Sequence, residues 1–154
     1  RDKENRGYSK EKIIRSIKDR ESDSKIYIET QANKSDILIE VLTEAKIKDV
    51  GNKKENINIY YTISLFNSVY VESILEDFEK IPSLTIFHEY KANGRQVITL
   101  KGDCEESHLI NIVRNQITAL EDFGITNSSW PDGLFGALII LLTHCIFEKS
   151  AYEK

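Results

Sequence analysis

The sequence contains few of the residues that mark several classes of protein. It has only two cysteines among 154 residues, too few for a disulfide scaffold or for a cysteine-rich zinc module. It has no methionine, one tryptophan and two prolines, and no apolar run reaches the roughly 18 residues that a membrane-spanning helix needs. We therefore do not expect a disulfide-rich, zinc-finger or integral membrane protein.

Motifs of the common catalytic classes are also missing from the sequence. The seven glycines form neither a G-x-G-x-x-G fingerprint nor a Walker loop, and no serine lies in a G-x-S-x-G elbow. The three histidines lack the H-x-x-x-H or H-x-H spacing of metal ligands. We therefore predict no metal, no cofactor and no catalytic residue.

The composition is that of an ordinary globular domain, with 40% hydrophobic and 30% charged residues. The chain begins at Arg1 and contains no methionine, so we expect a processed product or a piece of a longer protein. The sequence has no signal peptide and leaves the compartment open, with the cytoplasm favoured.

Charge is distributed unevenly along the chain. Residues 1–25 carry nine basic and six acidic side chains, whereas the remaining residues hold 12 basic and 19 acidic ones. This contrast predicts a basic polar arm over residues 1–24, with a short helix from Ser9, and a single α+β domain over residues 25–154. Because the acidic body would repel a polyanion, we do not expect a nucleic acid partner.

Two segments after the arm have short periodic patterns. Lys25 to Thr30 alternates in the manner of a strand. Ser35 to Val50 is ambiguous, since its apolar residues fit either an alternating strand or a helical stripe. Ser35 as a helix cap and Gly51 beyond the end favour the helix.

Residues 57–123 have the clearest pattern in the chain. A strand alternates from Ile57 to Leu65, a helix follows and ends at Pro82, and two strands meet at Asn93-Gly94, a strong hairpin signal. A second helix follows, introduced by Asp103 and Glu106 as a variant of the capping box and ended by Gly124.

This β-α-β-β-α order predicts an antiparallel sheet with helices on one face, as in the core of a ferredoxin-like sandwich. The order is similar to that of small-molecule-binding domains of the ACT type and of RNA-recognition domains. An N-terminal helix and strand and a C-terminal apolar helix would complete the α+β fold.

The C-terminal part contains an uncharged run from Gly133 to Phe147. Its length favours a helix, although Ile139 to Leu142 could provide the fourth strand of the sandwich. A helix that is apolar on all sides is either buried centrally or covered by a second molecule.

Cys104 is the one residue that resembles a nucleophile, because a helix start lowers the pKa of a thiol and His108 follows one turn later. Asp103, Glu105 and Glu106 oppose a thiolate by their like charge. A thiol enzyme that uses Cys104 with His108 therefore stays an alternative only.

We predict a non-catalytic protein-binding or regulatory domain, acting through the apolar C-terminal helix and the acidic body. Its partner would be another protein or a second copy of the chain, and a small-molecule ligand remains possible. The predicted partner-binding residues are Trp130, Leu134, Phe135, Leu138 and Phe147, since aromatic anchors are typical of binding hot spots. The main alternative is an ACT-like domain that senses a small molecule.

Overall fold

The computed structural model describes residues 7–44, 58–117 and 130–152. The chain divides into two compact units, an N-terminal unit of residues 1–36 and a C-terminal unit of residues 37–154. The domain boundary predicted after residue 24 falls within the helical part of the N-terminal unit.

The described part of the N-terminal unit is helical. It consists of α1 (Lys10–Asp23), a π-helical turn (Ser24–Ile28) and the short helix α2 (Glu29–Ala32). Ser9 caps α1, since its hydroxyl accepts a hydrogen bond from the backbone N–H of Lys12 at 3.3 Å. The helix predicted from Ser9 is confirmed.

The strand predicted for Lys25 to Thr30 is wrong, because these residues continue the helix. Lys25 pairs with Glu21 one turn earlier at 3.3 Å, and the hydroxyl of Thr30 donates to the carbonyl of Ile26 at 2.7 Å. Both contacts require helical spacing. The alternating isoleucines, Ile26 and Ile28, are more than 60% exposed on this helix.

The C-terminal unit contains four strands and three helices in its described residues. They are β1 (Ile37–Thr43), β2 (Ile59–Phe66), α3 (Glu72–Glu79), β3 (Leu84–Tyr90), β4 (Arg95–Gly102), α4 (Glu106–Gln116) and α5 (Gly133–Tyr152). Residues 45–57 and 118–129, which include the predicted helix stop at Gly124, lie outside the described part of the chain.

The four strands form one sheet in the order β1-β2-β4-β3, and all neighbouring strands are antiparallel. Strands β2 and β3 are therefore parallel to each other with β4 between them, which is the arrangement of a split βαβ unit. The α+β class and the antiparallel sheet predicted from the sequence are confirmed.

Strand β1 corrects two predictions. The helix favoured within Ser35 to Val50 is wrong, since residues 37–43 pair with β2 over seven residue positions. The alternative strand pattern is correct because this long-range pairing outweighs the local capping signals. Ile139 to Leu142 lie in α5, so the fourth strand comes from β1.

The core lies between the helices and one face of the sheet. Ile63 and Leu65 of β2 and Ile98 and Leu100 of β4 point into it and are fully buried. The helices contribute Ile74, Phe78, Leu109, Ile112, Ala137, Ile140 and Leu141. Burial of these side chains is the main stabilising contribution to the C-terminal unit.

The start of α4 differs from the predicted capping box. The helix begins at Glu106, and the side chain of Asp132 accepts a hydrogen bond from the backbone N–H of Glu106 at 3.1 Å. A residue 26 positions away along the chain thus caps the helix. The side chain of Asp103 accepts instead from the backbone N–H of Cys104 at 3.0 Å.

Candidate functional site

A charged, solvent-exposed face runs along one side of α1, and we call the space between its side chains the α1 groove. Its volume is about 420 Å³ and its lining residues are Lys12, Arg15, Ser16, Asp19, Arg20 and Asp23. These positions are three or four residues apart, so the side chains share one face of the helix. The α1 groove therefore combines three cations, two carboxylates and a hydroxyl on one short stretch of sequence.

Lys12, which lines the α1 groove, and Lys25, which lies outside it, make different contacts. The ammonium group of Lys12 lies 4.4 Å from the centre of the Tyr8 ring. Lys25 lies beyond α1 and forms an ion pair with Glu21 at 3.3 Å, so it does not line the groove. The lining carries a net charge of +1, which favours an anionic ligand.

A second concave site, which we call the strand-end depression, lies in the C-terminal unit where β2 and β3 begin and β1 and β4 end. Its volume is about 710 Å³ and its lining residues are Glu44, Asn58, Ile59, Ser83, Thr85, Phe87, Lys101, Gly102 and Asp103. It is mixed in character, with one exposed aromatic ring among hydroxyl, amide and charged groups.

A buried polar cluster connects β4 with the β2–α3 connection and β3. Gln96 is fully buried, and its amide nitrogen donates to the carbonyls of Phe66 at 3.1 Å and Val69 at 2.7 Å. Because this nitrogen faces two acceptors, the amide oxygen faces His88 Nε2 at 2.8 Å and accepts from it. The cluster holds the connection that precedes α3, and no sequence pattern indicates it.

Glu72 and Tyr90 lie next to this cluster, where the Tyr90 hydroxyl donates to the Glu72 carboxylate. Burial of the Glu72 carboxyl raises its pKa, but the hydrogen bonds from Tyr90 and from the Val71 backbone N–H outweigh that effect. The pKa of Glu72 is therefore below its usual value, and the carboxylate stays charged at neutral pH.

Cys104 is not a nucleophile in this structure. It lies before α4 and is buried, and its thiol donates to the carbonyl of Gly133 at 3.1 Å. Burial raises the pKa of this thiol to about 11, and the negative charges of Asp103 and Asp132 add to the increase. His108 is exposed on α4. Burial and the neighbouring carboxylates therefore keep the thiol protonated at neutral pH and oppose the alternative of a thiol enzyme that uses Cys104 with His108.

The predicted partner-binding residues lie in different environments on α5 and just before it. Leu134 and Leu138 belong to the core, and Trp130 and Phe147 are partly buried against it. Phe135 is 52% exposed and lies on the same side as Ile146, which is 59% exposed. A partner could therefore reach Phe135 most directly, and binding there stays a prediction.

The described residues add two negative findings. Within residues 7–44, 58–117 and 130–152, no group of three or more histidine, cysteine, aspartate or glutamate side chains could hold a metal ion. In the same part of the chain, none of the helices has both the length and the apolar character needed to span a bilayer.

Comparison with known proteins adds information on the N-terminal part. Residues 1–48 match the model of the Phosphoribulokinase / Uridine kinase family. The matched segment is just under a third of the chain and includes the α1 groove and β1. Comparison with curated proteins and with solved structures finds no match.

The family match contradicts the function predicted from the sequence. Residues 1–48 are similar to a family of kinases, which are enzymes, whereas we predicted a non-catalytic protein-binding or regulatory domain. The same match contradicts the alternative function, an ACT-like domain that senses a small molecule. The prediction relied on the absence of catalytic motifs, glycine-rich phosphate loops among them, and Gly7 is the only glycine within residues 1–48.

Proposed function

We propose that this protein is a kinase-like enzyme that acts in phosphoryl transfer from a nucleoside triphosphate to a hydroxyl group. The match of residues 1–48 to the Phosphoribulokinase / Uridine kinase family carries this proposal. The family description suggests ribulose phosphate and uridine as the first acceptors to test.

The side chains of the α1 groove suit the charge that such a reaction must balance. Phosphoryl transfer depends mainly on positioning and on cations that stabilise the phosphate oxygens. Lys12, Arg15 and Arg20 provide three positive charges along the groove. A guanidinium can bind two phosphate oxygens at once, so the two arginines are suited to orient a polyphosphate.

The carboxylates of the groove fit a magnesium ion bound together with the nucleotide. Mg²⁺ is usually held by one or two carboxylates, with waters and substrate phosphates as its other ligands. Asp19 and Asp23 lie one helical turn apart on the groove and would hold it. When bound, the ion would neutralise part of the phosphate charge. The hydroxyl of Ser16 can donate a hydrogen bond to a phosphate oxygen.

Binding of ATP to the intact chain tests the role of the groove. We expect Arg15→Ala with Arg20→Ala to weaken binding of magnesium–ATP by about a hundredfold or more in calorimetric titrations, since each charged hydrogen bond contributes about 1.5–3 kcal/mol and every 1.4 kcal/mol is about tenfold. The matched control Lys25→Ala removes a cation outside the groove and should leave the affinity nearly unchanged.

Transfer itself is measured with γ-labelled ATP and either uridine or ribulose 5-phosphate as the acceptor. Label should appear in the acceptor with the unmodified chain and decrease in the double arginine variant. If the chain neither binds ATP nor transfers label, or if Lys25→Ala has the same effect as the arginine variant, the proposal is wrong.

We also propose that the enzyme associates with a second copy of itself through α5. Phe135 and Ile146 support this proposal, because two large apolar side chains more than half exposed on one helix favour coverage by another molecule. Equivalent residues on the second copy would provide an apolar surface of the same kind.

A further inference from the structure

The strand-end depression has a rim that is fixed on both sides by backbone contacts. On one side, the backbone N–H of Asp103 donates to the carbonyl of Ser83 at 3.0 Å. Gly102 has a φ of 104°, and a Cβ atom at this position would overlap the Ser83 carbonyl, so β3 and β4 approach closely here. The depression is therefore formed in part by a backbone arrangement that requires glycine.

The opposite side of the rim is equally well defined. The backbone N–H of Glu44 donates to the carbonyl of Asn58 at 3.2 Å, and the Asn58 amide donates to the Glu44 carboxylate at 3.2 Å. These contacts join the end of β1 to the start of β2. Glu44 is thereby held at the edge of the depression.

Phe87 gives the depression an aromatic surface. Its ring is 59% exposed and lies on the sheet face opposite the helices, beside Thr99 of β4. An exposed ring on a flat sheet can stack against a planar ligand. The hydroxyls of Ser83 and Thr85 line the same depression.

The charges of the lining discriminate between possible planar ligands. Lys101 provides one positive charge, while Glu44 and Asp103 provide two negative charges. The Lys101 ammonium and the Glu44 carboxylate balance each other at 3.7 Å, and the ammonium also lies 4.4 Å from the centre of the Tyr60 ring, so the charge of Asp103 remains. An anionic ligand is therefore disfavoured, whereas amino groups on a ring could donate to the two carboxylates.

We propose that the strand-end depression binds a planar nitrogen heterocycle that bears an amino group and is uncharged or cationic. Its ring stacks on Phe87, and its amino group donates to Glu44 or Asp103. The site lies in the C-terminal unit and uses none of the α1 groove, so it goes beyond phosphoryl transfer and does not depend on it.

Adenine is a suitable probe, because it has a planar ring and an amino group but no phosphate. We expect saturable binding of adenine to the intact chain by isothermal titration or by NMR shifts at Thr85 and Phe87. Purine, which lacks the amino group, should bind several-fold more weakly. Phe87→Ala should weaken adenine binding by about tenfold, the usual effect of removing a stacking ring.

Two further variants make the test specific. Phe135→Ala removes an exposed ring on α5 and should leave adenine binding unchanged, which controls for a general loss of aromatic surface. Glu44→Gln leaves the ring of Phe87 in place and removes one carboxylate. It should reduce the preference for adenine over AMP, measured in the Arg15→Ala, Arg20→Ala background so that the α1 groove does not contribute.

Three results would overturn the proposal: no saturable adenine binding up to its solubility limit, unchanged affinity in a folded Phe87→Ala variant, or AMP binding as tightly as adenine when the α1 groove is disabled. Because adenine has no phosphate, each of these results leaves the proposed phosphoryl transfer unaffected. Conversely, loss of ATP binding in the arginine variants does not predict loss of adenine binding.

Discussion

Replacing Gln96 with alanine tests the importance of the polar cluster in the C-terminal unit. The Gln96 side chain is fully buried and makes three hydrogen bonds, to the carbonyls of Phe66 and Val69 and to the His88 ring. Alanine removes all three, so the Val69 carbonyl and an imidazole nitrogen lose their partner, while the Phe66 carbonyl keeps its hydrogen bond from the Val69 backbone N–H at 3.2 Å. The connection before α3 then loses its attachment to β4.

The expected cost follows from these contacts. Each hydrogen bond contributes about 1 kcal/mol net, and groups left buried without a partner cost more. Together with the lost packing, we expect the free energy of unfolding to fall by about 3–4 kcal/mol. With a urea slope of about 2 kcal/mol/M, the midpoint of unfolding should fall by about 1.5–2 M.

Two comparisons separate hydrogen bonding from volume in this prediction. Gln96→Leu restores most of the volume without the hydrogen bonds. We therefore expect it to lower the free energy of unfolding by at least half as much as Gln96→Ala does, about 2 kcal/mol. Gln116→Ala is the matched control, because this glutamine is only partly buried and donates to Ser73 at 3.3 Å and Asp77 at 2.6 Å. A Gln96→Leu variant as stable as the unmodified chain would refute the reasoning.

Four other predictions concern the two cysteines, the packing at Gly136 and the exposed side of α5. Burial raises the pKa of Cys104 to about 11 and that of Cys145 to about 12, so both thiols should react slowly with iodoacetamide at pH 8 unless the chain is unfolded. Because the pKa values of both thiols are higher in the folded chain, the two thiols contribute fully to stability below about pH 9. This contribution is lost as the pH rises towards 11–12, so the urea midpoint of unfolding should be lower at pH 10.5 than at pH 7. Gly136→Ala should lower stability by about 2 kcal/mol, because the new Cβ would overlap the Pro131 carbonyl and crowd Leu109; an unchanged thermal midpoint would contradict this. Phe135→Glu with Ile146→Glu should convert a dimer to a monomer in light scattering, and an unmodified chain that is already monomeric at high concentration would exclude the α5 contact.

The part of the fold predicted best from the sequence is the one specified by local signals. Alternation marked β2, and Asn93-Gly94 marked the hairpin between β3 and β4, where Gly94 has a φ of 76°. These signals involve residues that are neighbours in the chain. They therefore do not depend on how the rest of the chain folds.

The failures involve contacts between residues that are distant in sequence. The capping of α4 by Asp132 and the pairing of β1 with β2 each join separate segments, so the local patterns at Glu106 and Ser35 were misleading. The burial of Gln96 is of the same kind, since its acceptors lie 27 and 30 residues away. In the N-terminal unit, residues Lys25 to Thr30 alternate like a strand but are helical, and the described part of this unit contains no strand with which they could pair.

The family match and the division into units have different boundaries, and this difference matters for function. The match ends at residue 48, whereas the C-terminal unit begins at Ile37. Strand β1 is therefore part of the segment that matches the family model and also the edge of the sheet, where it pairs with β2 over seven residue positions. A chain cut after residue 48 would lose those hydrogen bonds, and one cut before residue 37 would lose the α1 groove. Because neither piece keeps both, the proposed phosphoryl transfer has to be measured on the intact chain.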